Sequence, residues 1–169
     1  MDYYGTTLYR VRAIRDFSDV KAGDFGGFIE HDGNLSQEGD CWVYEDAIIA
    51  NHSAVSDNAK IYGDSIVEWS NISGDAKIFD SKIENAYISG NSRVYKSFIS
   101  EFYVQDNAVV YNSDPNRKSE FCYGEIKGNG AIFTDGDENV IRIKDLTKPN
   151  SFLAEFLETM SEIMDGYAS

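Results

Sequence analysis

The chain has 169 residues, of which 42% are hydrophobic and 14% aromatic, enough for one domain with a real core. This composition excludes a disordered chain, and no apolar run reaches the roughly 18–20 residues that span a bilayer. The net charge of −14 argues against direct binding of nucleic acid and favours a basic partner. The N-terminus lacks the layout of a signal peptide, so we predict a cytoplasmic protein. Two cysteines, Cys41 and Cys122, predict neither a disulfide framework nor a metal site.

Residues 1–38 predict a cap for the segment that follows. The stretch LYRVRAIRDF (8–17) alternates apolar and arginine residues imperfectly, as a strand near the base would. Three glycines would permit turns that other residues resist, namely Gly23, Gly26 and Gly27. Three apolar residues would cover the open bottom of a solenoid, namely Phe25, Phe28 and Ile29.

From residue 39 onwards the chain repeats. A Val or Ile returns every five or six residues, at positions 43, 49, 55, 61, 67, 72, 78, 83, 88, 94, 99, 104 and 110. Two residues before each stands Cys, Ala or Ser, with Phe102 the only exception. A helix would space its apolar residues by three and four, and hairpins would show turn signals every 8–12 residues. The pattern therefore predicts short strands joined by corners, with three sides to each coil of a solenoid.

Related phrases open the predicted coils: GDCWVY, DNAKIY, GDAKIF, GNSRVY and DNAVVY. The coils run over 39–56, 57–73, 74–89, 90–105 and from 106, with lengths of 18, 17, 16 and 16 residues for the first four. We expect their Asp or Asn residues (40, 58, 75, 91, 107) and their aromatic residues (44, 62, 79, 95, 111) to stack at ~4.8 Å per coil. The falling length predicts a taper or a tightened corner. A further copy, GNGAIF (128–133), indicates that the solenoid resumes and extends over 39–148.

The C-terminal segment 149–169 has helical spacing instead of the repeat. Its apolar residues are Phe152, Leu153, Phe156, Leu157, Met160, Ile163 and Met164. They predict one amphipathic α-helix that either closes the top of the solenoid or forms a contact between copies of the chain. Between the solenoid and this helix, DGDENV (135–140) lacks the Gly and Glu of a calcium loop and predicts a turn between strands.

The entrance segment DFSDVKAGDFGGFIEHDGNLSQEGDCWVY closely resembles the N-terminal block of YdcK-like proteins. These are β-helix proteins of bacteria and phages that are often labelled uncharacterised acetyltransferases. The hexad pattern also resembles that of the hexapeptide-repeat acyltransferases. The resemblance implies an all-β solenoid, a left-handed parallel β-helix with an N-terminal cap. It also implies a possible acyltransferase that uses acetyl-CoA, with a histidine as general base.

Catalytic candidates are scarce in this sequence. It has two histidines, His31 in the entrance and His52 at a corner of the first coil, and His52 is the better candidate base. A solvated corner residue is the plainer interpretation of it. We find no column of lysines for the phosphates of a coenzyme, and no P-loop, GxSxG motif or metal-binding set. The sequence therefore leans away from an enzyme and from any cofactor.

The predicted outer surface mixes acidic and aromatic residues instead. The candidate partner-binding residues are Trp42, Tyr44, Glu45, Asp46, Tyr62, Asp64, Glu68, Trp69, Phe79, Asp80, Tyr95 and Tyr111. Aromatic residues are enriched at interfaces, but stacking that stiffens the face explains the column equally well. Our first hypothesis is a non-enzymatic acidic protein that binds a basic surface, such as a phage inhibitor of host nucleoprotein or defence machinery of the anti-CRISPR kind. The alternatives are an acyltransferase and a self-assembling structural protein.

Overall fold

The structure is a computed structural model that describes residues 1–112, 120–134 and 140–143. Four strands and a 3₁₀ turn precede the first coil. They are β1 (Asp2–Tyr3), β2 (Thr6–Thr7), β3 (Tyr9–Arg12), β4 (Phe25–Ile29) and the turn Asp32–Asn34. Strand β3 lies within the predicted base segment 8–17.

Short strands follow, three to a coil in the first three coils. The first coil has β5 (Trp42–Val43), β6 (Ile48–Ala50) and β7 (Ala54–Val55), and the second has β8 (Lys60–Tyr62), β9 (Ile66–Glu68) and β10 (Asn71–Ile72). The third has β11 (Lys77–Phe79), β12 (Lys82–Glu84) and β13 (Tyr87–Ile88), and the fourth has β14 (Arg93–Tyr95) and β15 (Phe98–Val104). The remaining strands are β16 (Val109–Asn112), β17 (Glu120–Ile126), β18 (Ala131–Thr134) and β19 (Val140–Ile143).

Strands of successive coils pair in parallel, so the chain forms an all-β parallel solenoid of about five turns. The first side is the stack β5–β8–β11–β14–β16–β18. The second side is β4–β6–β9–β12–β15, and the third is β7–β10–β13–β15. Strand β15 belongs to two sides because it continues through the corner between them, and β17 pairs along its length.

The predicted inward residues fill the core. Every one of the predicted Val and Ile positions from 43 to 110 is at most 1% exposed, and the small residues two positions earlier are at most 6% exposed. Serine serves as a small residue because its buried hydroxyl accepts a backbone hydrogen bond from the coil above. The N–H of Ser81 donates to Ser65 Oγ at 3.2 Å, and that of Ser97 to Ser81 Oγ at 3.1 Å. The inward pattern predicted from sequence is confirmed.

The strand register confirms the predicted coil lengths. Trp42 pairs with Lys60, Lys60 with Lys77, and Lys77 with Arg93, which are steps of 18, 17 and 16 residues. The sides keep their pairing while the corners shorten. Ala50 pairs with Glu68, and the corner that follows holds three residues in the first coil and two in the second. The coil therefore tightens at its corners, and the longer corner of the first coil contains His52.

Left-handed backbone marks the corners. The first corner, which precedes the first side, has positive φ at Gly39, Asp57, Gly74, Gly90, Asp106 and Gly128. The second corner has it at Glu45, Gly63, Asp80 and Lys96, and the third at Asn51, Trp69, Asn85 and Glu101. Carboxylates brace the corners: Asp57 accepts from the N–H of Gly74 at 2.9 Å, and Asp106 accepts from the N–H of Gly128 at 3.0 Å. Part of the negative charge therefore stabilises turns.

The N-terminal cap (residues 1–38) is continuous with the solenoid, because β4 pairs antiparallel with β3 and parallel with β6. Gly23 makes a turn at φ +101°, as predicted. The turn prediction is wrong for Gly26 and Gly27, which lie inside β4. A Cβ there would come within 2.4 Å and 2.3 Å of carbonyl oxygens of the first coil, so these glycines permit close packing. Phe25 does not cover the bottom, since it is 63% exposed.

At the other end, β18 pairs in parallel with β16, so the solenoid resumes at the predicted phrase GNGAIF. Strand β19 then pairs antiparallel with β18. The turn at 135–139 and the predicted helix over 149–169, with Phe152, Phe156, Leu157, Met160, Ile163 and Met164, lie outside the described residues. Within the described part, no helix has the length and apolar character needed to cross a membrane.

Candidate functional site

Aromatic rings stack in a column on the outer surface of the first side. Ring centroids lie 4.4 Å apart for Tyr44 and Tyr62, 4.6 Å for Tyr62 and Phe79, and 4.7 Å for Phe79 and Tyr95, with planes within 12° of parallel. Tyr111 meets Tyr95 edge-on at 6.5 Å. The column forms because each coil places its ring at the same register, and the rise of ~4.8 Å suits stacked rings. We call these five residues the ring column.

The prediction that the aromatic residues form an exposed outer surface is wrong for three of them. Phe79 is 3% exposed, Tyr95 is 0% exposed and Trp42 is 6% exposed. Trp42 instead packs edge-to-face against Phe17 of the N-terminal cap, with ring centroids 5.4 Å apart. Since these side chains present almost no surface, they offer little contact area to a protein partner, and the stacking interpretation describes the ring column better.

A column of cations runs beside the ring column, and sequence reasoning missed it. Lys60, Lys77 and Arg93 lie in register on the adjacent strands β8, β11 and β14. The sequence shows this column in the phrases DNAKIY, GDAKIF and GNSRVY, each of which has a lysine or arginine two positions before its aromatic residue. The expectation that this chain has no column of basic residues is wrong, because net charge says nothing about local register. We call these three residues the cation column.

Asp19 of the N-terminal cap (residues 1–38) neutralises the lower end of the cation column. Lys60 makes an ion pair with Asp19, and its ammonium lies 5.6 Å from the centre of the Tyr44 ring. The hydroxyl of Tyr44 donates to both carboxylate oxygens of Asp19, at 2.8 and 2.9 Å. Burial alone would raise the pKa of Asp19, but the hydrogen bonds from Lys60 and Tyr44 outweigh it and lower that pKa to about 2. The carboxylate of Asp19 thus pairs with one cation, Lys60, and accepts a hydrogen bond from one phenol, Tyr44.

The upper end of the cation column has no such counterion. Among the described residues, Lys77 and Arg93 make no ion pair, and the buried Arg93 Nε and Tyr95 hydroxyl have no hydrogen-bond partner. Burial, followed by the charges of Arg93 and Lys60, lowers the pKa of Lys77. Burial raises the pKa of Tyr95 to about 12. Among the described residues, this end of the first side therefore holds two cations without an ion pair, although the charges of Asp19 and Asp75 act on Lys77 from a distance.

The predicted partner-binding acids of the second corner are partly occupied within the chain. Glu45 accepts a hydrogen bond from the N–H of Gly63, and Asp80 accepts from the N–H of Asp64 at 3.2 Å. Both carboxylates therefore brace the left-handed turn of a neighbouring coil. The side chain of Asp64 is exposed.

Two further acids of that predicted set differ in exposure. Glu68 is half-buried, accepts from Asn51 Nδ2 at 3.0 Å and lies 3.9 Å from the ammonium of Lys82. Asp46 is 71% exposed, with the Arg10 guanidinium 3.9 Å away. Asp46 and Asp64 are thus the acids of the set that remain available to a partner.

His52 and Trp69 lie together at the third corner. Their rings stack with centroids 4.8 Å apart and planes 17° from parallel, and Trp69 is 52% exposed. Among the described residues, no hydrogen bond orients the imidazole of His52. The cation column lies on the first side, so within one chain the structure does not bring the candidate base to the cations. His31 is exposed in the entrance turn.

Sequence reasoning also missed two exposed tyrosines of the third side. Tyr87 is 39% exposed and Tyr103 is 54% exposed, and their rings lie 6.2 Å apart. Each directly precedes a buried aliphatic residue, so strand alternation could have placed it outside. With Trp69 they form what we call the exposed strip.

Two clefts, each of about 470 Å³, lie near the base. The first is bordered by β3 and reaches the buried free thiol of Cys41, whose pKa is raised by burial. The second lies between the N-terminal strands and the second side, against Tyr3, Glu68 and Lys82. Burial and the neighbouring Glu68 raise the pKa of Tyr3 to about 12. The described residues contain no group of three or more His, Cys, Asp or Glu side chains that could hold a metal ion.

Comparison with known proteins returns a partial match. The chain is 44% identical over 66 residues to the protein named Uncharacterized acetyltransferase YdcK of Escherichia coli (strain K12). The match covers 38% of this chain and 20% of that protein, so the chain spans about a fifth of the length of the curated relative it matches. No protein-family model matches the chain. The match and the solenoid fit a hexapeptide-repeat β-helix family, which confirms the resemblance to YdcK-like proteins.

Proposed function

We propose that the chain is an acetyltransferase-type β-helix that binds an acyl-CoA. The observation that carries this proposal is the 44% identity to a protein named as an acetyltransferase, on a chain that forms the matching kind of solenoid. Left-handed winding of the coils, which the resemblance implies, is part of the proposal. The acyl acceptor would be an amine or a hydroxyl.

In the proposed reaction the acceptor attacks the thioester carbonyl, the C–S bond breaks and the coenzyme leaves as its thiol. His52 would take the proton of the acceptor as general base. Its exposed imidazole, stacked on Trp69, is reachable from solvent. Because the cation column is on another side, a complete site would need a second copy of the chain or residues beyond those described.

Calorimetric titration of the full chain with acetyl-CoA tests the proposal, with free coenzyme A as a second ligand. We expect saturable binding, followed by acetyl-dependent release of thiol when amine or hydroxyl acceptors are supplied. His52→Ala should then leave binding intact and reduce turnover about a hundredfold or more. His31→Ala is the matched control because it changes the other histidine. The absence of any binding to acetyl-CoA would refute the proposal.

A binding protein for a basic partner is the second candidate function, favoured by the exposed strip and by the net charge of −14. Trp69 and Tyr103 are each more than half exposed, and aromatic residues of this kind anchor interfaces. Capture of a partner at low salt that is lost in Trp69→Ala, but kept in Asp64→Asn, would support the strip as the anchor. The narrower idea of a phage inhibitor of defence machinery stays a prediction, as does a cytoplasmic location. Neither the fold nor the comparison bears on them.

A further inference from the structure

The lower and upper parts of the first side each bring a phenol and cations to one face, but with a different geometry. Tyr44 lies one coil below Lys60, whereas Tyr95 lies on the same strand as Arg93 and the ring one coil below it is Phe79. In the lower coils, a phenol and a cation from adjacent coils converge on one carboxylate, that of Asp19. This carboxylate comes from the base, outside the coils. The contact therefore shows what the paired columns bind when an anion reaches them: an oxyanion that accepts from Tyr44 and Lys60 together.

Two coils higher, the same columns present donors without an acceptor. Lys77 and Arg93 are paired neighbours on β11 and β14, so their side chains start about 4.8 Å apart on one face. Tyr95 follows Arg93 by two residues and points to the same face. The charge of Arg93 acts on the phenol of Tyr95, which indicates that the two groups are close.

The second observation is that the buried donors of Arg93 and Tyr95 have no hydrogen-bond acceptor. Tyr95 is 0% exposed, and neither its hydroxyl nor Arg93 Nε has a hydrogen-bond partner. Buried polar groups in folded proteins are almost always paired, so two orphaned donors on one face point to a ligand. Among the described residues no carboxylate forms an ion pair with Lys77 or Arg93: Asp75, whose charge acts on Lys77, accepts from Asn58 Nδ2 at 3.0 Å.

We propose that Lys77, Arg93 and Tyr95 form a binding site for a phosphate group. The charge decides between phosphate and carboxylate. In the lower site a single carboxylate meets one cation, whereas the upper site offers two cations and a phenol donor. A phosphate group carries a charge of about −1.5 to −2 at pH 7 and matches two cations, and the guanidinium fork suits its geometry. This inference does not rest on acyl transfer, since the site would bind phosphate whether or not a thioester is attached.

The test is titration of the full chain with inorganic phosphate in phosphate-free, low-salt buffer, followed by ³¹P NMR and by thermal unfolding. We expect saturable broadening of the ³¹P signal and a rise in Tm, with sulfate competing and acetate competing weakly. Lys77→Met and Arg93→Gln should each weaken phosphate binding about tenfold or more, because each removes a charge-assisted hydrogen bond.

Two further variants separate binding from folding. Tyr95→Phe removes a hydroxyl that lacks a partner, so we expect an unchanged Tm without phosphate and weaker phosphate binding. Lys82→Met is the matched control, since Lys82 lies in the same coil on the second side and pairs with Glu84 at 2.5 Å. Phosphate binding should persist in it. The proposal is overturned if the unaltered chain does not bind phosphate, or if Lys82→Met weakens binding as much as Lys77→Met.

The outcomes also distinguish this site from the proposed function. Binding of acetyl-CoA without binding of phosphate would refute the phosphate site and leave the acyltransferase proposal standing. Binding of phosphate that depends on Lys77, with no binding of acetyl-CoA, would do the reverse.

Discussion

The first and third sides of the solenoid both carry aromatic rings, yet the two sides use them differently. On the first side the rings of Tyr62, Phe79 and Tyr95 stack nearly parallel, and two of the three are buried. On the third side Tyr87 and Tyr103 are tilted by 36° and exposed. The same backbone rise therefore produces a packed column in one place and an open surface in the other.

Neighbouring residues account for the difference. The ring column has an aromatic residue in every described coil, so each inner ring has a partner above and below. On the third side the equivalent positions are Ala54 and Asn71 in the lower coils, and among the described coils rings occur there in two, at Tyr87 and Tyr103. A ring with one neighbour keeps a face in water. An aromatic residue thus contributes to stability on the first side and is available for binding on the third.

The largest expected effect is on stability, from Phe79→Ala. Phe79 is 3% exposed and stacks between Tyr62 and Tyr95, so truncation should lower the free energy of unfolding by about 3–5 kcal/mol. Tyr103→Ala, on the exposed strip, should cost less than about 1 kcal/mol. Urea unfolding followed by circular dichroism measures both. Equal losses for the two variants would contradict the contrast between the sides.

A smaller effect is expected from the buried phenol of Tyr95 at alkaline pH. Burial raises the pKa of Tyr95 from 10.0 to about 12. The folded state then holds the proton more tightly than the unfolded state, so its contribution to stability is complete below pH 10. It is lost as the pH rises towards 12, by on the order of 2 kcal/mol. In phosphate-free buffer, Tyr95→Phe should keep its stability at pH 7 and show a shallower alkaline decline. A decline as steep as in the unaltered chain would show that another group causes it.

Sequence alone predicts the features of this fold that follow from the five- or six-residue spacing of its aliphatic residues. A Val or Ile such as Ile78 can be placed inside because its spacing repeats, and its burial is confirmed. The coil lengths follow from the opening phrases for the same reason. The stacking of Tyr62 on Phe79 was one of two interpretations that the sequence left open. The wrong assumption was that a ring on the outer face of the sheet is an exposed ring. Stacking covers the faces of Tyr62, Phe79 and Tyr95, yet Tyr62 is partly buried whereas Phe79 and Tyr95 are 3% and 0% exposed.

Two features were not predicted from the sequence: the contacts between distant segments, and the local column of positive charge. Asp19 reaches Lys60 across 41 positions of sequence, and no periodic pattern indicates such a contact. The cation column is periodic and therefore visible in the sequence, whereas the net charge of −14 carries no information about where basic residues align. His52 stacks on Trp69 at a corner that is one residue longer in the first coil than in the second; the spacing of the aliphatic residues indicates the extra residue but not the ring contact.

The smallest expected effect tests the filled, lower end of the cation column. Asp19→Asn removes the charge that Lys60 and Tyr44 share. Because the side chain of Asp19 is 58% exposed, water screens the pair and we expect a loss of only about 1 kcal/mol at pH 7. The folded pKa of Asp19 is lowered to about 2, so the folded state releases the proton more readily than the unfolded chain.

The stability that this pair contributes is therefore complete above the unfolded pKa of about 3.9 and disappears as the pH falls towards 2. Acid unfolding of the unaltered chain and of Asp19→Asn should converge across that window. Asp46→Asn, which loses only a 3.9 Å approach to Arg10, is the control and should stay within about 0.5 kcal/mol of the unaltered chain. If the difference between Asp19→Asn and the unaltered chain persisted at pH 2, the charge would not be its cause, and the lower site could not serve as the precedent for an anion at the upper one.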